Sequence, residues 1–205
     1  MVDLWWESMS SSNHEVPALL TVNAGSSSIK WALFELGASL VRMLSGRIER
    51  IGLSDGIVTV TDGGTGQDQR HIAQIPSHAH AVQILIDRLG QSSSRWSLQA
   101  IGHRVVHGGS RYTNPEVISA AVIEELRRLS PYDPEHLPAE LALIEALGVQ
   151  YPSVRQVACF DTGFHQHQPP VARLLAIPRR YEKQGIRRYG FHGLSYAYLM
   201  EELER

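Results

Sequence analysis

The chain has 205 residues, and 43% of its side chains are apolar, enough for one large domain with a buried core. A formal net charge of −2 excludes a broad basic field for nucleic acid or an anionic membrane, so any bound anion must be held by local groups. The single cysteine, Cys159, excludes an internal disulfide framework and a cysteine-built metal site, and it suits a reducing cytoplasm.

Residues 1–16, MVDLWWESMSSSNHEV, carry acids and serines where a leader would carry a basic start and an apolar core, and they are expected to be a disordered or extraneous tail. No apolar run is long enough to span a bilayer. Order is expected from Pro17. Ala18 to Val22 has strand character, the small polar residues from Asn23 to Ser28 turn the chain, and Ile29 to Leu36 returns as a second strand. In that strand Ile29, Trp31, Leu33 and Glu35 share one face, and Lys30, Ala32, Phe34 and Leu36 the other. Leu40 to Ile51 predicts a third strand. Ile57 to Thr61 and Gln69 to Ile75 flank the glycine-rich run from Asp62 to Gly66 as a second hairpin.

Alternation of helix and strand begins at His78. Ala81, Val82, Leu85, Ile86 and Leu89 have helical spacing over His78 to Leu89. Leu98 to Val106 predicts a buried strand ending in His107-Gly-Gly109. Pro115 to Leu129 predicts a helix capped by Asn114, and Pro138 to Leu147 another, stopped by Gly148. Val154 to Phe160 predicts a strand running into Asp161, and Leu194 to Arg205 a last helix. This order predicts an α/β layer with a mixed sheet, its polar clusters lying where strands end.

Four segments carry chemistry. In NAGSSSIK, Gly25 opens space for a close approach, Ser26, Ser27 and Ser28 supply hydroxyls, and Lys30 supplies a charge. The same composition is ordinary for an exposed hairpin turn, and neither a Walker loop nor a dinucleotide fingerprint is present. Arg104 lies in an apolar strand and needs an anionic partner, a protein carboxylate or a ligand. Val106, two residues on, can cover an apolar part of what Arg104 holds. Asp161 at a strand end suits catalysis or helix capping, and His192 at a helix entry suits donation to developing charge or a structural role. The ten histidines show no HExxH, so no histidine metal site is expected.

Taken together and in this order, VNAGSSSIK, AIGHRVVHGG, ACFDTGFHQ and YGFHGLS resemble the acetate kinase family, from about Leu19 to the last residue, with Pro134 to Glu140 a fifth similar element. That family belongs with the actin-like ATPases. The resemblance implies an α/β, ribonuclease H-like domain with a mixed five-stranded sheet flanked by helices. It implies transfer of phosphoryl from ATP to acetate, with magnesium. Asn23 falls on the magnesium-associated position, and Ser26, Ser28 and Lys30 on phosphate-side positions. Arg104 falls on the residue gripping the acyl carboxylate or phosphoryl group, and Val106 and Phe191 on walls of the acyl pocket. Asp161 matches the catalytic aspartate, His192 the histidine stabilising the transition state, and His136 a further active-site histidine.

The chain departs from the pattern at Leu194, Tyr196 and Glu135, where the family has threonine, histidine and leucine. The resemblance also implies a carboxy-terminal nucleotide-binding half that lies outside this sequence, inactivity of residues 17–205 without it, and homodimers of the full-length enzyme. A non-catalytic interaction module and a propionate kinase are the rival expectations. Nucleic-acid and membrane partners are not expected.

Overall fold

The computed structural model describes residues 15–205, so the tail expected at residues 1–16 lies, through residue 14, outside the described residues. Val16 is not tail: it opens β1 (Val16–Ala24) and pairs with Trp96.

β1 turns back into β2 (Ser28–Glu35), and antiparallel pairing continues through β3 (Val41–Glu49), β4 (Gly56–Asp62) and β5 (Asp68–Ala73). On its other edge β1 pairs in parallel with β6 (Trp96–Val105), which pairs in parallel with β8 (Arg155–Phe160). The short β7 (Glu116–Val117) closes that edge antiparallel to β8. The result is one eight-stranded sheet in the order β5-β4-β3-β2-β1-β6-β8-β7, in place of the five strands expected. The excess follows from tight hairpins: each returning strand leaves an open edge that the next one satisfies. The β4–β5 turn is held by the Asp62 carboxylate, which accepts from the Gly64 and Thr65 amides and the Thr65 hydroxyl.

The helices are α1 (His78–Gly90), α2 (Ala120–Leu129), α3 (Leu137–Gln150), the single turns α4 (Pro170–Arg173) and α5 (Arg180–Lys183), and α6 (Gly193–Leu203). The Ser77 side chain caps α1 by accepting from the His80 amide. Two predicted boundaries are corrected. The helix expected from Asn114 and Pro115 starts only at Ala120, capped by Ser119, because Glu116 and Val117 instead pair with Ala158 and Val157 of β8. α3 runs through Gly148 to Gln150. Gly148 leaves room for Gln156, whose amide donates to the Ile144 carbonyl and whose oxygen accepts from His103.

Alternation along the strands separates two faces. Ala18, Leu20, Val22 and Ala24 of β1, with Ile29, Trp31 and Leu33 of β2, are buried in one core with Leu85 and Leu89 of α1 and Leu143 and Leu147 of α3. Gly46 lies opposite Trp31, and a Cβ there would meet the indole at 2.6 Å. A second core joins Val105, Val106, Tyr112 and Phe160 to Leu126 of α2 and to Leu137 and Ile144 of α3.

Candidate active site

The opposite face of the sheet is open. Thr21 and Asn23 of β1, Lys30 and Ala32 of β2, Arg104 of β6 and Cys159 of β8 border a hollow of about 460 Å³, with Leu194 of α6 at its rim. These residues share a face because the register sets Asn23 beside Lys30, Thr21 beside Gly102, and Arg104 beside Cys159.

Arg104 is the hub. Its Nε and Nη2 donate to Asp161 Oδ2 at 3.0 and 2.5 Å. Its Nη1 lies 3.5 Å from Asn23 Oδ1 and 3.6 Å from Glu140 Oε1. Asp161 is buried, and its amide donates to the Val105 carbonyl, which ties the end of β8 to the end of β6. One carboxylate oxygen therefore fixes the guanidinium plane and leaves the Nη1 edge for other acceptors.

Glu140 was not singled out from the sequence as a site residue. It sits in the first turn of α3, 2% exposed, and both its oxygens lie within reach of the Val106 amide, at 3.2 and 3.1 Å. Burial pushes its carboxyl up to about 8, against the opposing pull of the Val106 amide and the Arg104 charge. A signal existed in the sequence: Leu137, Glu140, Ile144 and Leu147 form one stripe at helical spacing, with an acid on an otherwise apolar face.

The remaining predicted residues, Ser26, Ser28, Val106, Phe191, His192 and His136, do not line this hollow. Ser26 is exposed and Ser28 half-buried in the tight turn that the Gly25 amide closes onto the Ser28 carbonyl at 2.7 Å. His78 Nε2 anchors that turn by donating to the Gly25 carbonyl at 2.8 Å. Val106 is buried in the second core. Phe191 is 39% exposed and stands edge-on to His107, with ring centroids 5.8 Å apart. His107 accepts from the Gly109 amide through Nδ1, packs on Tyr189 at 4.4 Å, and has its pKa lowered chiefly by burial.

His192 occupies the cap position of α6 in the left-handed region, φ 58°, next to Gly193, whose amide donates to the Asp161 carbonyl at 2.9 Å. A Cβ on Gly193 would collide with that carbonyl, so glycine is required for α6 to start against the end of β8. The backbone next to His192 is thus held against the end of β8, while His192 itself is exposed. His136 precedes α3 and bonds Asp133 Oδ1 through Nδ1 at 2.9 Å. Among the described residues, no hydrogen bond or ion pair links the side chains of His136 or His192 to Arg104.

The Acetokinase family model matches residues 18–205. The chain belongs to the acetokinase family. It is 44% identical over 187 residues to the acetate kinase of Bacillus mycoides (strain KBAB4), a match covering 89% of this chain and 46% of that relative. Its fold is similar to the crystal structure of a propionate kinase from Francisella tularensis, with a TM-score of 0.80, 32% identity, and coverage of 91% of this chain and 48% of that one. It is also similar to the crystal structure of Porphyromonas gingivalis acetate kinase, with a TM-score of 0.77, 32% identity, and coverage of 92% of this chain and 49% of that one. The chain therefore spans about half the length of the relatives it matches. The α/β, actin-like ATPase class expected for this acetokinase domain stands, with eight strands in its sheet. None of its described helices is long and apolar enough to cross a membrane.

Proposed function

We propose that the chain forms the acceptor-side half of a carboxylate phosphotransferase, which exchanges a phosphoryl group between ATP and acetate to give ADP and acetyl phosphate, reversibly. The observation that carries this reading is the Arg104 guanidinium, oriented by Asp161 and bordered by Asn23, opening onto a hollow that also holds Lys30. Phosphoryl transfer needs in-line placement and neutralisation of charge spreading over the equatorial oxygens, with little covalent help. The Nη1 edge of Arg104, held only by long contacts to Asn23 at 3.5 Å and Glu140 at 3.6 Å, suits the acceptor carboxylate, which is already ionised at neutral pH and needs no base. In this proposal Asp161 orients the guanidinium, and Lys30 and the Ser26–Ser28 turn receive the phosphoryl oxygens. The His192 ring donates to charge that develops in transfer, and His136 serves as a further active-site histidine.

Among the described residues no cluster of three or more His, Cys, Asp or Glu side chains can hold a metal alone. Asn23, whose amide oxygen also reaches Arg104, would stand on the magnesium side of the site. Magnesium would supply further neutralisation of the phosphate charge. The adenosine would be held by a carboxy-terminal half supplied in cis or in trans, consistent with relatives about twice as long. A free Cys159 agrees with a cytoplasmic setting. A propionate acceptor is the second reading, favoured by the propionate kinase fold match and by Leu194 at the rim.

The test pairs this chain with the carboxy-terminal half of the Bacillus mycoides relative and traps acyl phosphate as hydroxamate, with acetate, propionate and butyrate in parallel. Turnover is expected only with both halves. Full turnover by this chain alone would refute the two-part reading.

A further inference from the structure

Arg104 is the only cation within salt-bridge reach of Glu140 or Asp161 among the described residues, and it faces both. One positive charge set against two ionised carboxylates leaves that group at a net charge of −1, which repels an incoming anion. With Glu140 neutral the group is balanced, and an anion can approach the Nη1 edge. Asp161 holds the guanidinium with two short bonds, whereas Glu140 stands 3.6 Å from Nη1, beyond a good hydrogen bond. Of the two acids, Glu140 is thus the one whose proton can come and go without releasing Arg104.

We propose that Glu140 is a positioning residue whose neutral form is the one in which Arg104 holds an anion, so that wherever the carboxyl is ionised in the empty site, anion binding is coupled to uptake of one proton from solvent. The Val106 amide, shared between both carboxyl oxygens, holds the side chain in place in either state. The groups facing it are Arg104 from β6, Asp161 from the end of β8, and Asp133 from the turn before α3. Glu140 lies in the first turn of its own helix, where the helix dipole favours the ionised form. Burial and the two aspartates outweigh that pull and hold the carboxyl at about 8. The inference rests on the anion-binding reading of Arg104 and adds a pH control to it.

The experiment is calorimetric titration of this chain with acetate, which stays ionised throughout, between about pH 7 and about pH 9.5. It is run in two buffers of different ionisation enthalpy, on the unaltered chain and on Glu140→Gln. The unaltered chain should lose up to tenfold in affinity per pH unit above about pH 8 and take up a fraction of a proton on binding. The E140Q chain should show no such fall and no uptake. Equal pH profiles, or heats independent of buffer in the unaltered chain, would overturn the coupling and leave the function of Arg104 standing. Absence of acetate binding to either chain at every pH would sink both. If E140Q fails to fold, the buffer dependence of the unaltered chain decides alone. A purely structural Glu140 would lower the melting temperature of E140Q without moving the pH profile.

Discussion

Along β1, Ala18, Leu20, Val22 and Ala24 point beneath α1 and α3, whereas Thr21 and Asn23 point into the open hollow beside Arg104. The covered face is apolar and satisfied within the chain. Its one buried imidazole, His103, bonds Gln156 at 2.6 Å and is pushed down to about 4 by burial. The open side ends in opposed charges around Arg104, with a carboxyl raised by burial. The same two-residue alternation thus separates a region that stabilises from a region whose donors remain available to a ligand.

The sharpest way to break that division is Arg104→Leu. It leaves Asp161 and Glu140 buried without their cation, so it should lower stability by about 3–5 kcal/mol and abolish acetate binding together, read by urea denaturation and titration. On the covered side, Leu85→Ala should cost about 2–5 kcal/mol while leaving acetate affinity unchanged. A loss of affinity there would show that the two regions are coupled.

Stability against pH sharpens the contrast, because the two buried groups act with opposite sign. His103 has a folded pKa below its free value of 6.5, so the unfolded chain binds the extra proton, and stability is lost as pH falls from 6.5 toward about 4. Glu140 has a folded pKa above its free value of 4.5, so the folded chain binds the extra proton, and stability is lost as pH rises from 4.5 toward about 8. His103→Gln should flatten the acid arm and E140Q the alkaline arm, each followed by the urea midpoint across pH.

Ser77→Ala, which removes the α1 cap on the covered side, should cost about 1 kcal/mol by the same denaturation measurement. Lys30→Met on the open face should change stability by less than about 0.5 kcal/mol yet weaken inorganic phosphate binding severalfold, as measured by titration. A stability loss as large as that of Leu85→Ala would make Lys30 a structural residue.

The alternation in β2, the apolar spacing of α1 and the small-residue turn after Asn23 were legible in the sequence, because each depends on neighbours within a few residues. Arg104 was legible as a cation needing a partner, since a guanidinium in an apolar strand has few alternatives. Which partner it takes was not. Asp161 lies 57 residues away, and Glu140 comes from the first turn of α3, a separate element. The displaced start of α2 likewise followed from β8, which captures Glu116 and Val117 as an edge strand that local propensity does not foresee. Local pattern determined the elements and the kinds of chemistry they carry. Only tertiary packing decided the eight-strand order, the sharing of one guanidinium between two acids, and the burial that raises Glu140, because desolvation and charge pairing depend on distances that sequence separation does not set.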